Sequence, residues 1–128
     1  MESQGMVIDT SIFIDYLRAK SKKDTELYKI PDNIKIYISA VTLYELLVGA
    51  TNEQKREDVQ LLTEDLIVLP FDDEVSIRAS DIYHDLRKAN KMIEFRDIFI
   101  AATCLIYNVP IMTTNKSHFQ RIKGLKLE

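Results

Sequence analysis

The chain has 128 residues, of which 46% are hydrophobic and 29% charged. This composition excludes disordered and fibrous proteins and predicts one domain, residues 1–128, with a single compact core. The formal charge of −3 argues against binding nucleic acid through bulk positive charge. Every apolar run is shorter than the roughly 20 residues that cross a bilayer. Residues 1–5 carry no signal-peptide pattern, so we expect a cytoplasmic protein with no membrane partner.

Few side chains in the chain suit a soft metal ion. Cys104 is the only cysteine, and His84 and His118 are the only histidines. An intrachain disulfide is therefore excluded, as is a structural zinc site of the usual Cys/His type. A bound metal must be held by oxygen ligands.

Short apolar strands alternate with amphipathic helices along the first half of the chain. The helix starting near residue 12 follows the small polar residues Asp9 and Ser11, which are typical helix caps, and Ser39 opens a later helix. Pro31 breaks the second helical stretch. The predicted strands cover residues 6–8 and 35–38, and the predicted helices cover residues 12–20, 24–30, 41–49 and 53–65.

The second half continues the same alternation. A strand at residues 67–69 precedes a helix capped by Asp72 or Asp73, and an almost wholly apolar helix at residues 94–107 ends at Asn108. A strand at 109–112, a short helix and a strand at 125–127 complete the chain. The first of these helices has one buried stripe, formed by Val75, Ala79, Ile82, Leu86, Ala89 and Ile93.

Strands separated by helices predict an α/β fold, a three-layer α/β/α arrangement with a central, mostly parallel sheet of about five strands. Active sites of such sheets lie beyond the carboxyl ends of the strands. Asp9 and Asn115 each follow a predicted strand. We therefore expect both at that edge.

Two further acids occupy helices that otherwise carry hydrocarbon. Glu45 lies on the helical stripe of Val41, Tyr44 and Val48, and no lysine or arginine is present in its helix. Asp97 aligns with apolar residues at helical spacing in a helix that is apolar on both sides. An unpaired buried carboxylate is costly, so each needs a cation or several hydrogen bonds.

Each acid also has a plainer interpretation. Asp9 alone fits a helix cap, Asp97 fits a first-turn acid that complements the helix dipole, and Glu45 fits a side chain that extends to solvent. Three acids that one topology brings to one edge nevertheless favour a shared, oxygen-lined metal site.

Four segments, in this order along the chain, resemble the motifs of the PIN-domain family, specifically of its VapC-like toxin branch. Asp9 ends the first strand, Glu45 lies in the second motif, and Asp97 precedes Ile-Ala-Ala in the third. The segments are residues 7–17, residues 39–49, residues 96–103, and a fourth block from Val109 through Thr113, Asn115 and Phe119 to Leu125.

The resemblance implies a metal-dependent endoribonuclease, the toxin of a VapBC-type toxin-antitoxin pair. Asp9, Glu45 and Asp97 would be its catalytic acids and the ligands of Mg²⁺ or Mn²⁺. The expected partners are an RNA substrate, a VapB-like antitoxin and a second copy of the chain in a homodimer.

The fourth motif departs from the family. Where the family often has a further acid, this chain has Asn115 and His118. Asn115 would be a weaker ligand through its carbonyl oxygen. Glu94, one helical turn before Asp97, is the other source of ligand charge, although an exposed acid at a helix start is its plainer interpretation. The number of ions, one or two, stays open.

Other side chains are expected around these acids. Arg18 and Lys116, one from each of two basic clusters, are the expected RNA contacts, with ordinary solvated surface as the alternative. The hydroxyl groups expected to orient the acids belong to Thr10, Ser11, Thr42 and Thr113; helix capping explains Ser11 and Thr42 equally well.

Two other functions are compatible with the sequence. The first is a PIN-like module, weakened by Asn115, that only binds RNA or protein. The second is a phosphatase with Asp9 as covalent nucleophile, but such enzymes usually place a second aspartate two residues later, where this chain has Ser11.

Overall fold

A computed structural model describes residues 5–128, and its four strands form one parallel sheet. Residues 1–4, which belong to the predicted domain and to the segment searched for a signal peptide, lie outside the described residues. The strand order is β3-β2-β1-β4, and all three pairings are parallel. The strands are β1 (Gly5–Ile8), β2 (Lys35–Ser39), β3 (Ile67–Leu69) and β4 (Ile111–Met112).

Within residues 5–128, six α-helices connect and cover the strands. Local capping sets where several of them begin: the side chains of Asp9, Ser39 and Asp72 accept hydrogen bonds from backbone N–H groups in the first turns of α1, α2 and α4. The helices are α1 (Thr10–Arg18), α2 (Ala40–Gly49), α3 (Glu53–Thr63), α4 (Asp73–Lys88), α5 (Phe95–Tyr107) and α6 (Lys116–Phe119).

The core consists of two clusters, one on each face of the sheet. Consecutive strand residues point to opposite faces, so Val7 joins the cluster that contains residues of α4 and α5, while Ile8 joins the cluster of α1, α2 and α3. Both side chains have 0% exposure. This confirms the predicted three-layer α/β/α fold with a parallel sheet.

The predicted helix at residues 24–30 is wrong. A single 3-10 turn, Lys22–Asp24, is followed by irregular turns up to Ile30. A stretch of this length before Pro31 is too short to be stable as an isolated helix. Lys22 instead fixes the segment, because its ammonium donates to the carbonyl of Leu17 at 3.0 Å, at the end of α1.

The predicted fifth strand is reduced to one bridge. Leu127 pairs in parallel with Ile111, the N–H of Ile111 donates to the carbonyl of Lys126, and the N–H of Glu128 donates to the carbonyl of Ile111, both at 2.9 Å. Since β4 has only two residues, it offers little backbone for a longer pairing.

The stripe predicted on α4 is buried at five positions but wrong at Ala89, which is exposed, and the helix is shorter than the stripe. Lys88 is its last residue, and Asn90 has a positive φ of 56°, which turns the chain out of the helix. Ile93 lies beyond that turn and is still only 6% exposed. No helix in the described part of the chain is long and apolar enough to cross a membrane.

The left-handed residue that ends α5 provides a test of the fold. Asn108 has φ 55° and ψ 50°, a conformation that asparagine tolerates better than most residues with a Cβ atom. We expect Asn108→Ala to lower the free energy of unfolding by about 1 kcal/mol. Asn108→Gly should retain or raise it. Urea denaturation of both variants measures the difference, and an Asn108→Ala variant as stable as the unsubstituted protein would contradict this account.

Candidate active site

Asp9 and Thr113 meet where β1 and β4 end. The N–H of Asp9 donates to the carbonyl of Met112 at 2.9 Å, which extends the pairing of the two strands by one step. This brings the Thr113 hydroxyl within 2.7 Å of Asp9 Oδ2, to which it donates. Asp9 Oδ1 accepts from the Thr10 N–H at 2.8 Å and so caps α1. Asp9 is therefore a helix cap and also a member of the acidic group.

Burial dominates the electrostatics of Asp9. The residue is only 6% exposed. Desolvation raises the pKa of the Asp9 carboxyl above its usual value, the hydrogen bonds from Thr113 and Thr10 act in the opposite direction, and the negative charge of Glu45 raises the pKa further. Burial therefore makes the carboxylate form of Asp9 less favourable than it is in water, and a cation beside it would offset that cost.

A chain of hydroxyl groups connects the ends of β1 and β2. Ser39, the last residue of β2, caps α2 and donates to Thr42 Oγ1 at 3.1 Å. Thr42 Oγ1 lies 2.9 Å from Thr10 Oγ1, and Thr10 donates to Glu45 Oε1 at 2.8 Å. The threonines predicted to orient the acids thus position Glu45 beside the strand end that carries Asp9.

Glu45 also contacts a cation that the sequence analysis missed. Arg96 Nη1 donates to Glu45 Oε2 at 3.1 Å, although 51 residues separate the two side chains. The stripe predicted to be buried on α2 is wrong in part, since Tyr44 is 67% exposed and Val48 61%. Glu45 itself is 18% exposed and faces the hydroxyl chain and Arg96.

Asp97 lies in the first turn of α5 and is 6% exposed. Its Oδ2 is 3.4 Å from His118 Nδ1, and His118 Nδ1 is 2.7 Å from the Asn115 amide nitrogen. Desolvation raises the pKa of the Asp97 carboxyl, the contact with His118 lowers it, and the charge of Asp9 raises it again. Because the charge of Glu45 acts on Asp9 and the charge of Asp9 acts on Asp97, the three acids form one electrostatic group at the carboxyl ends of β1, β2 and β4.

Within residues 5–128, the side chains of the other predicted site residues make no hydrogen bond to the three acids. Ser11 Oγ is buried and has no hydrogen-bond partner within residues 5–128, so it belongs neither to the hydroxyl chain nor to a cap. Glu94 is 64% exposed and pairs with Arg96 Nε at 3.3 Å. Arg18 lines a cavity of about 170 Å³ together with Glu45. Lys116 is exposed on α6, next to Asn115.

The donor chemistry of the site suits a hard divalent cation. In the part of the chain that the structure describes, no three acid, histidine or cysteine side chains form a ready metal cage. Mg²⁺, however, is usually held by one or two carboxylates plus water and substrate phosphate. Asp9 and Asp97 offer buried carboxylates of raised pKa, and Asn115 offers an amide oxygen. The carboxylates of Asp9 and Asp97 and the amide oxygen of Asn115 therefore fit the divalent ion expected from the sequence.

Comparison with known proteins agrees with the PIN-domain resemblance found in the sequence. The family model described as "PIN domain" matches residues 6–125. Ribonuclease VapC1 of Methanocaldococcus jannaschii is 30% identical over 128 residues, which cover 98% of this chain and 88% of the relative. The chain belongs to the VapC branch of the PIN-domain family. Ribonuclease VapC1 of Rickettsia felis is 34% identical and covers 96% of this PIN domain and 94% of its own length.

The fold of this PIN domain matches a solved structure just as fully. VapBC-1 from nontypeable Haemophilus influenzae superposes with a TM-score of 0.82 at 27% identity, covering 98% of this chain and 97% of that one. Asn115 and His118, which stand where the family often has a further acid, lie at the acidic group. They contact each other, and His118 also contacts Asp97.

The hydrogen bond from Thr113 allows a test of the electrostatics. Thr113→Val removes the donor to Asp9 Oδ2 while retaining the shape of the side chain, so the pKa of Asp9 should rise further. Carbon-13 NMR titration of the Asp9 carboxyl measures this, with Thr113→Ser, which retains the hydroxyl, as the matched control.

The same variant should change the pH dependence of stability. A raised folded-state pKa means that ionised Asp9 destabilises the fold. This cost is absent below the usual carboxyl pKa and develops as the pH rises through the folded-state value. Thr113→Val should therefore lose more stability at neutral pH than at acidic pH, relative to Thr113→Ser. Equal losses at both would contradict the assigned role of Thr113.

Proposed function

We propose that this chain is a metal-dependent endoribonuclease that hydrolyses RNA phosphodiester bonds and is the toxin of a VapBC-type pair. The observation that carries the proposal is the pair of buried carboxylates with raised pKa, Asp9 and Asp97, which lie with Glu45 at the carboxyl edge of a PIN-domain sheet. Two ribonucleases VapC1 that match nearly the whole chain support the reaction class.

Mg²⁺ or Mn²⁺ is the proposed cofactor. Asp9 and Asp97 are its proposed carboxylate ligands, with Glu45 as the third acid, and Asn115 and Glu94 as further oxygen donors. When bound, such an ion activates water as a nucleophile and offsets the charge of the phosphate and the leaving oxygen. No protein nucleophile is required for this hydrolysis.

The chain itself holds the acids in place. Thr113 and the Thr10 N–H each fix one oxygen of Asp9, which orients the carboxylate rigidly. The Thr10 hydroxyl fixes one oxygen of Glu45. His118 lies against Asp97 at the position where the family often has an acid. Arg18, beside Glu45 in the cavity, and Lys116 are the proposed contacts to the RNA backbone.

The proposed partners follow from the family. A solved relative is VapBC-1, and by this likeness the present chain pairs with a VapB-like antitoxin. The homodimer stays a prediction from the family resemblance. Exposed apolar side chains such as Tyr44, Val48 and Phe95 provide surface for protein contacts.

A binding module without activity is the second candidate function. It is favoured by one observation, the replacement of the fourth acid by Asn115 and His118, which contact each other instead of presenting a carboxylate. The phosphatase alternative has less support, because both oxygens of Asp9 accept hydrogen bonds and Ser11 is where the usual second aspartate would be.

RNA cleavage tests the enzyme directly. Purified protein incubated with total RNA should cut it with Mg²⁺ or Mn²⁺ and not with EDTA. Asp9→Asn and Asp97→Asn should lower the rate by about 100-fold or more, because each removes a proposed ligand charge. Asp81→Asn, an exposed position on α4, is the matched control and should cut normally. RNA that is bound but never cut would favour the binding module, and a trapped phosphoryl-aspartate would favour the phosphatase.

Thermal unfolding tests the metal site without relying on activity. A ligand that binds only the folded state stabilises it in proportion to the logarithm of its concentration. Mn²⁺ should therefore raise the Tm of the unsubstituted protein progressively. Asp97→Asn should show little of this increase, whereas Glu57→Gln, an exposed position on α3, should show all of it. An equal rise in all three proteins would mean that the ion binds elsewhere.

A further inference from the structure

Among residues 5–128, Arg96 is the side chain in direct contact with the acidic group whose function neither the sequence motifs nor the proposed metal chemistry explains. It lies one residue before Asp97 in the first turn of α5, and its guanidinium bridges Glu45 and Glu94 at 3.1 and 3.3 Å. Its charge also lowers the pKa of both Asp9 and Asp97. Arg96 is thus a cation at the edge of a strongly negative site.

The contacts of Arg96 are of a kind that exchanges readily. The side chain is 55% exposed, and its partner Glu94 is 64% exposed. Ion pairs this accessible to water contribute little to stability and are screened by salt. The two ion pairs of Arg96 use its Nη1 and Nε atoms, so solvent can reach the remaining N–H groups of the guanidinium.

Glu45 does not depend on Arg96 for its position. Its other oxygen accepts the hydroxyl of Thr10 at 2.8 Å, and Thr10 is held in turn by the buried Thr42. Arg96 can therefore leave Glu45 without releasing that carboxylate. This argues against a purely structural role in orienting the acid.

A phosphate is the ligand that this arrangement fits. RNA must bring its negative backbone to a site with several carboxylates on a chain of net charge −3, which is unfavourable without a local cation. The planar guanidinium matches phosphate oxygens with two parallel N–H donors. We propose that Arg96 is a substrate-binding residue that exchanges the carboxylate of Glu45 for a backbone phosphate of RNA. This inference rests on the proposed function, because it takes RNA as the substrate.

The test measures RNA binding in EDTA, where no cleavage occurs. Fluorescence anisotropy of a short, labelled single-stranded RNA gives the affinity over a series of salt concentrations. Arg96→Gln should weaken binding roughly 3- to 10-fold at low salt and reduce the slope of log affinity against log salt by about 0.7, the loss of one phosphate contact.

Arg78→Gln is the matched control and should bind RNA like the unsubstituted chain. Arg78 is exposed in the N-terminal half of α4. Asp72, which caps the start of α4, accepts a hydrogen bond from Tyr107 at the C-terminal end of α5. Arg96 lies at the other end of α5. Glu45→Gln should tighten RNA binding by freeing Arg96. That gain should shrink in the Glu45→Gln, Arg96→Gln double variant, a coupling that a merely structural arginine would not produce.

The outcomes separate this inference from the proposed function. If the protein cuts RNA but Arg96→Gln binds RNA with unchanged affinity and salt slope, the role of Arg96 is overturned and the nuclease stands. Failure of the unsubstituted chain to bind RNA would also overturn that role. If Arg96 proves to bind RNA and no metal supports cleavage, the phosphate contact stands and the nuclease fails.

Discussion

The burial of Asp9 at the junction of β1 and β4 is the constraint around which this site is built. The backbone bond from Asp9 to Met112 ends the strand pairing and places the carboxylate beside Thr113, directly after the fully buried Ile8. A carboxylate there must be hydrogen-bonded through both oxygens, and these bonds come from Thr10 and Thr113. The cost of desolvation that remains is the physical reason for proposing a bound cation at this group.

Two further packing features bring the remaining acids to this junction. The cap at Ser39 starts α2 at the end of β2, so that Thr42 and Glu45 lie on successive turns facing α1. The connection before α5 is fixed from a distant part of the chain, because Arg121 donates to the carbonyls of Lys91 and Met92. Asp97 in the first turn of α5 then reaches the same edge. The site therefore depends on contacts among all three layers.

The site combines charge repulsion with a local cation. The negative charge of Glu45 raises the pKa of Asp9, the charge of Asp9 raises the pKa of Asp97, and the charge of Arg96 lowers both. Such an arrangement stores unfavourable electrostatic energy in the folded protein. A divalent ion and a phosphate, one bound by the acids and one by the arginine, would relieve it together. Binding of metal and RNA are expected to support each other for this reason.

The amino-acid sequence alone determined the strand-helix alternation and the positions of the three acids in it. These features are local: apolar periodicity, caps such as Ser39, and an acid such as Glu45 placed within an apolar helix are all readable from neighbouring residues. The α/β layering followed from them, whereas the helix at residues 24–30 was wrong because a short segment takes its conformation from its surroundings. Only the tertiary structure decided that Arg96 pairs with Glu45, that His118 lies against Asp97, and that Ser11 stays outside the hydroxyl chain. The first two contacts join side chains 51 and 21 residues apart, and such pairings depend on how the helices pack over the sheet rather than on any local pattern.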